Sequence, residues 1–129
     1  TVLVSGALST VNSTSRSGRG GSLFASEVLQ VMPGGEIAVE DAESLAIAGS
    51  GGGIWSPVLV AFGDVSLVNV HSQGDAGAVH AGVVQVLGRL DVRNSSTAGQ
   101  GAALLVWEGM SATGHVAIVN AETSLGSAV

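Results

Sequence analysis

Gly63-Asp-Val-Ser-Leu-Val-Asn69 and Gly88-Arg-Leu-Asp-Val-Arg-Asn94 share one frame: glycine, any residue, apolar, any, apolar, any, asparagine. The frame returns as Gly114-His-Val-Ala-Ile-Val-Asn120, as Gly6-Ala-Leu-Ser-Thr-Val-Asn12 and, with the near-isostere Asp, as Gly35-Glu-Ile-Ala-Val-Glu-Asp41. All four asparagines of the chain stand at its sixth place after the glycine. An internal repeat of 25 to 29 residues is the sequence signature of a stacked array, in which each unit buries its apolar side against its neighbours.

The frame alternates as a half-buried strand does. Places two and four carry Leu8/Thr10, Ile37/Val39, Val65/Leu67, Leu90/Val92 and Val116/Ile118, while most charges sit at places one, three and five. By that parity the ladder residues Asn12, Asp41, Asn69, Asn94 and Asn120 point inward, where stacked amides satisfy one another and the turn backbone. Val70 then faces solvent. Beyond each Asn a glycine opens a second short apolar segment (Gly21-Ser-Leu-Phe, Gly53-Ile-Trp, Gly77-Ala-Val-His, Gly101-Ala-Ala-Leu-Leu, Gly126-Ser-Ala-Val). A third run closes each complete unit: Val28–Met32, Val58–Phe62, Val83–Leu87 and the weaker Trp107–Ser111. Glu40–Ile47 has helix-forming composition but no capped apolar stripe, and reads as a longer loop or a strand with an insertion.

These patterns predict an all-β chain: a parallel β-helix solenoid of three short strands per coil and about five coils, starting near residues 6, 35, 63, 88 and 114. Residues 1–129 form one segment of it. Leucine-rich repeats compete on period, but their Asn lies three residues after the last apolar site, here two, and no helical half-repeat is visible. A Greek-key sandwich leaves the fixed Asn offset unexplained. Val2–Ser5 matches a closing strand and Gly126–Val129 an opening one, so the segment is expected to be an excerpt of a longer array whose partners include flanking coils of the same chain.

Composition narrows the function classes. The 129 residues are 46% apolar but only 3% aromatic, so small and branched aliphatics must fill the core. Ten acids face four arginines and no lysine, a net charge of −6, which argues against a nucleic-acid partner. There is no cysteine, hence neither disulfide nor thiolate metal site. No apolar run is long enough to cross a bilayer as a helix.

Particular residues invite chemistry. Place one stacks Glu36, Asp64, Arg89 and His115 on neighbouring rungs, with Asp91 and Arg93 further along the fourth rung. Acids beside an arginine on such a face would suit uronate binding or proton transfer, but this strip alternates in sign, and a solvated Asp64–Arg89 pair is the expectation. His71, His80 and His115 occupy unlike places, so no metal site is expected, nor is any catalytic residue or cofactor. Asn12-Ser-Thr14 and Asn94-Ser-Ser96 match the glycosylation sequon, but inward amides would be out of a transferase's reach. Gly49–Gly53 lacks the Lys and helix of a phosphate loop and reads as a corner. Trp55 and Trp107 would stack on sugars if exposed, and otherwise cover a corner.

Leu67-Val-Asn69 with Ala76-Gly-Ala-Val79, Val92-Arg-Asn94 with Gln100-Gly-Ala-Ala103, and Thr10-Val-Asn12 with Gly20-Gly-Ser-Leu23 resemble the repeats of right-handed parallel β-helices of the pectin-lyase-like class. They are most similar to those of chlamydial polymorphic outer-membrane proteins and related surface passenger domains. The family's frequent Phe before the Asn is absent here. The resemblance implies a right-handed coil and an extracellular or cell-surface location. Repeat regularity without a convergent site points to a non-enzymatic structural or adhesion role with a glycan or protein ligand. The alternative is a fragment of a carbohydrate-active β-helix enzyme, a polysaccharide lyase or glycoside hydrolase.

Overall fold

The computed structural model describes residues 1–16, 21–45 and 52–123, and among these there is no helix. The frame segments are five nine-residue strands, β2 (Ala7–Ser15), β5 (Glu36–Ser44), β7 (Asp64–Ser72), β9 (Arg89–Thr97) and β11 (His115–Thr123). They pair in parallel, each with the next coil, in the order β11-β9-β7-β5-β2. The register follows the repeat: Leu8, Ile37, Val65, Leu90 and Val116 lie side by side. The molecule is an all-β, all-parallel solenoid of about four turns.

The second sheet runs β1 (Val2–Val4), β4 (Val28–Val31), β6 (Ile54–Ala61), β8 (Val79–Val86) and β10 (Leu104–Ala112), with β3 (Leu23–Phe24) also on β6. The second and third extended runs of a unit remain separate in the first coil, as β3 and β4, and join into one strand in β6, β8 and β10. Pro57 leaves no N–H for the ladder at that point, and β10 carries a register shift between Val106 and Gly109 against β8. Glu40–Ser44 belongs to β5 and Leu45 follows it, its N–H donating to the Ser15 carbonyl (2.8 Å); residues 46–47 of the helix-like stretch, with Gly49–Gly51 and Gly126–Val129, lie outside the described residues.

Between the sheets lies an aliphatic core. Leu29, Val31, Ile37, Val39, Ile54, Leu59, Leu67, Val79, Leu90 and Val92 are fully buried, each contributing about 1.5–3 kcal/mol of burial. The end strands are more open: Leu8, Val116 and Ile118 are only partly buried where Ile37, Val65 and Leu90 are sealed.

Gly35, Gly63, Gly88 and Gly114 are dictated by close approach. A Cβ on any of them would run into carbonyl oxygens of the preceding coil: Val4 for Gly35, Gly35 for Gly63, Gly63 for Gly88, and Gly88 for Gly114.

Candidate functional site

The ladder residues are stacked, but they do not face inward. Asn12, Asp41, Asn94 and Asn120 are exposed and Asn69 is half-buried. All five have φ between 53° and 55°, the left-handed region that Asn and Asp tolerate better than other side chains. That conformation bends each frame strand and resets its parity. In β5 Ile37 and Val39 point in, Glu40 and Asp41 both point out, and Ala42 and Ser44 point in again. Val70, expected outside, is consequently sealed, 0% exposed. Along the outside of the corner Asn69 Nδ2 donates to Asp41 Oδ1 (3.0 Å), Asn94 Nδ2 to Asn69 Oδ1 (3.2 Å) and Asn120 Nδ2 to Asn94 Oδ1 (3.0 Å). The sequon asparagines 12 and 94 are therefore on the surface, although both of Asn94's amide ends are engaged.

Each frame also carries a hydroxyl at its ninth place, a signal the repeat displays and the sequence reading passed over. Ser15, Ser44, Ser72, Thr97 and Thr123 are in register. Ser72 Oγ accepts from Gly74 N–H (3.2 Å) and donates to the Asp75 carbonyl (3.3 Å). Thr97 Oγ1 accepts from Gly99 N–H (3.1 Å) and donates to the carbonyl of Gly74 one coil back. Thr123 reaches the Gly99 carbonyl in the same way. These hydroxyls fasten loop backbone to loop backbone.

The corner is concave outside, and a polar groove follows it. Two depressions of about 300 and 320 Å³ share His71; the first is also lined by Asn12, Asp41, Glu43 and Asn69, the second by Asn94, Ser96, Asn120 and Glu122. Register aligns Thr14, Glu43, His71, Ser96 and Glu122 as one wall. His71 Nδ1 and Ser96 Oγ are 2.6 Å apart, a base-to-hydroxyl contact that no local motif announced. A hydrolytic triad adds a carboxylate bonded to the histidine, and the hydrogen bond that His71 makes here is to Ser96.

The place-one column forms in register as Glu36, Asp64, Arg89 and His115, but the Asp64–Arg89 pair does not form. The ion pairs among the described residues are Arg93 to Asp91 (Nη2–Oδ2, 3.2 Å; Nε donates to Oδ1, 3.3 Å) and the Thr1 amino group to Glu27 (3.7 Å). Arg93 and Asp91 stand two residues apart on one face of β9, so the shorter reach is within the strand. His71 lies in the groove, His80 on the other sheet and His115 on this strip. No group of three or more His, Asp or Glu side chains suited to a metal occurs among the described residues, and no helix among them is long and apolar enough to cross a membrane.

The outer face of the second sheet holds an aromatic cluster. Phe24, Trp55 and His80 are register neighbours on β3, β6 and β8. Phe24 stacks on Trp55 with centroids 5.0 Å apart and planes at 15°. Trp107 from β10 lies 6.4 Å from Trp55 and 4.8 Å from His80, edge to face with the latter. Leu105 is the register neighbour of His80, and Trp107, two residues further on the same face, lies over Gly82, where a Cβ would meet the indole at 3.1 Å. The two Trp residues, 52 positions apart in sequence, thus form one surface, with Trp55 at 9% exposure between Phe24 at 52% and Trp107 at 49%.

Comparison of the chain with protein-family models, with curated proteins and with solved structures found no match. The solenoid architecture therefore stands on strand register and burial, and the likeness to pectin-lyase-like repeats on short motifs.

Proposed function

We propose that this chain is a structural, adhesion-type segment of a larger secreted or surface-displayed β-solenoid, similar to the passenger repeats named above and right-handed like them. The observation that carries this reading is the unbroken register of the frame: β2, β5, β7, β9 and β11 pair in parallel one on the next, over an apolar column sealed at Ile37, Val65 and Leu90. A stalk needs an uninterrupted ladder and a continuous core. Polar side chains spread along separate columns suit a surface that is touched more than one that turns over substrate.

A chain extended by one designed coil against β2 and one against β11 is expected to unfold at higher urea concentration and to self-associate less than the chain alone. No change in either would remove the flanking-coil reading. Immobilised chain should retain glycan or matrix ligands from an array without consuming them.

The second reading, a fragment of a carbohydrate-active enzyme, draws on the groove, where Asp41, Glu43, His71 and Glu122 border one polar channel. Turnover of pectin or alginate, abolished by Asp64→Ala or Arg89→Ala on the strip or by Glu43→Gln in the groove, would replace the structural reading.

A further inference from the structure

We propose that the face built by Phe24, Trp55, His80 and Trp107 binds neutral sugar rings by stacking. This deepens the adhesion reading, and rests on it, by naming the ligand class and the place. The chain has four aromatic residues; three of them meet here, each from a different coil, and His80 joins from yet another. They are not filling the core, which is aliphatic and lies on the other side of the sheet. Trp107 stands two residues beyond Leu105, the register neighbour of His80, and so on the same face of the sheet, over Gly82, where the missing side chain leaves room for the indole. The outcome is two rings left about half uncovered at either side of a rigidly packed third.

Size and charge select the occupant. Half of two aromatic side chains amounts to about 200 Å² of apolar surface, far below the roughly 800 Å² per partner of a stable protein interface. One or two pyranose rings match it. Among the described residues no arginine is in contact with the cluster, Glu108 is exposed beside Trp107, and the chain carries a net charge of −6, so uronates, phosphates and anionic membranes are disfavoured. A neutral sugar offers an apolar C–H face to the rings and hydroxyls to the Glu108 carboxylate.

The test is titration of the whole chain with cellohexaose, maltohexaose and laminarihexaose, followed by calorimetry and tryptophan fluorescence, with an oligogalacturonate as the acidic comparison. At least one neutral hexasaccharide should bind. Phe24→Ala, Trp107→Ala and Trp107→Leu, the last keeping apolar bulk without a flat ring, should each weaken it at least about tenfold. Leu87→Ala, an exposed apolar residue on another corner, should leave it unchanged. Urea curves of each variant separate lost binding from lost fold. Absence of binding by all three neutral sugars, equal binding by the Trp107→Leu variant, or tighter binding of the oligogalacturonate would overturn the proposal. Retention on a glycan array by the Trp107 variants would then leave adhesion standing through another face, whereas no retention of any kind would remove both.

Discussion

Asn94 accepts a hydrogen bond from Asn120 and gives one to Asn69, so a single side chain ties three successive coils together on the outside of the bend. Its backbone sits at φ 53°, and the two facts have separate energies. Asn69 is in the same situation at φ 54°. Asn69→Gly keeps the bend and loses the two ladder bonds, a cost of about 1–2 kcal/mol for solvent-facing bonds. Asn69→Leu loses the bonds and also forces an apolar L-residue into the left-handed region, adding about 1–2 kcal/mol. Urea denaturation should rank wild type above Gly above Leu. Equal stabilities for the two variants would mean the conformation carries no cost.

Ala76 is the one non-glycine residue besides the ladder with positive φ among the described residues, at 58°, and it is fully buried. In the next coil Gly101 takes the matching place at φ 70°. Ala76→Gly is expected to shift stability by less than about 1 kcal/mol, because relief of the left-handed strain, about 1–2 kcal/mol, is offset by the added freedom of the unfolded chain and the lost burial of one methyl. A urea midpoint lowered as far as by Gly88→Ala would contradict this.

Gly88→Ala should be among the most damaging single changes, costing about 3 kcal/mol or more, because its Cβ would meet the carbonyls of Phe62 and Gly63, which the ladder holds in place. Gly109→Ala has nothing within 4 Å of the new atom and should shift stability by less than about 1 kcal/mol. Thermal melts of the pair make the comparison.

Ser95 is 1% exposed and its hydroxyl has no hydrogen-bond partner. Its register neighbours are Val70 and Ala121. Ser95→Ala removes an unsatisfied buried hydroxyl and should stabilise by about 1 kcal/mol, read as a higher urea midpoint at unchanged slope.

Val70→Ala empties two methyl groups from a sealed position and should cost about 2 kcal/mol, while Val68→Ala, on the half-exposed side of the same strand, should cost less than about 1 kcal/mol. The opposite order would reinstate uninterrupted alternation through Asn69.

That last contrast shows where sequence reasoning stopped. Strict alternation from Val65 to Asn69 assigns Asn69 to the interior, and the error comes from treating a nine-residue strand as straight. An asparagine recurring at one place has two physical explanations, paired amides and a left-handed backbone, and both hold here. Only the second decides which way the following residues point. The sequons at Asn12 and Asn94 change sides for the same reason. The hydroxyl column at Ser72 and Thr97 was legible in the repeat, since a Ser or Thr stands at the ninth place after every frame glycine.

The sequence alone determined that successive frames stack in parallel, because apolar residues at fixed offsets from a glycine can be buried together only if each coil lies in register on the last. Tertiary structure decided the surfaces. Phe24 and Trp55 are 31 positions apart, Trp55 and His80 25, and Trp107 stands two residues beyond Leu105, the register neighbour of His80. The frame does not encode that meeting. Side chains from unlike places of different coils become neighbours there through the lengths of the loops, and those are fixed when the whole chain packs.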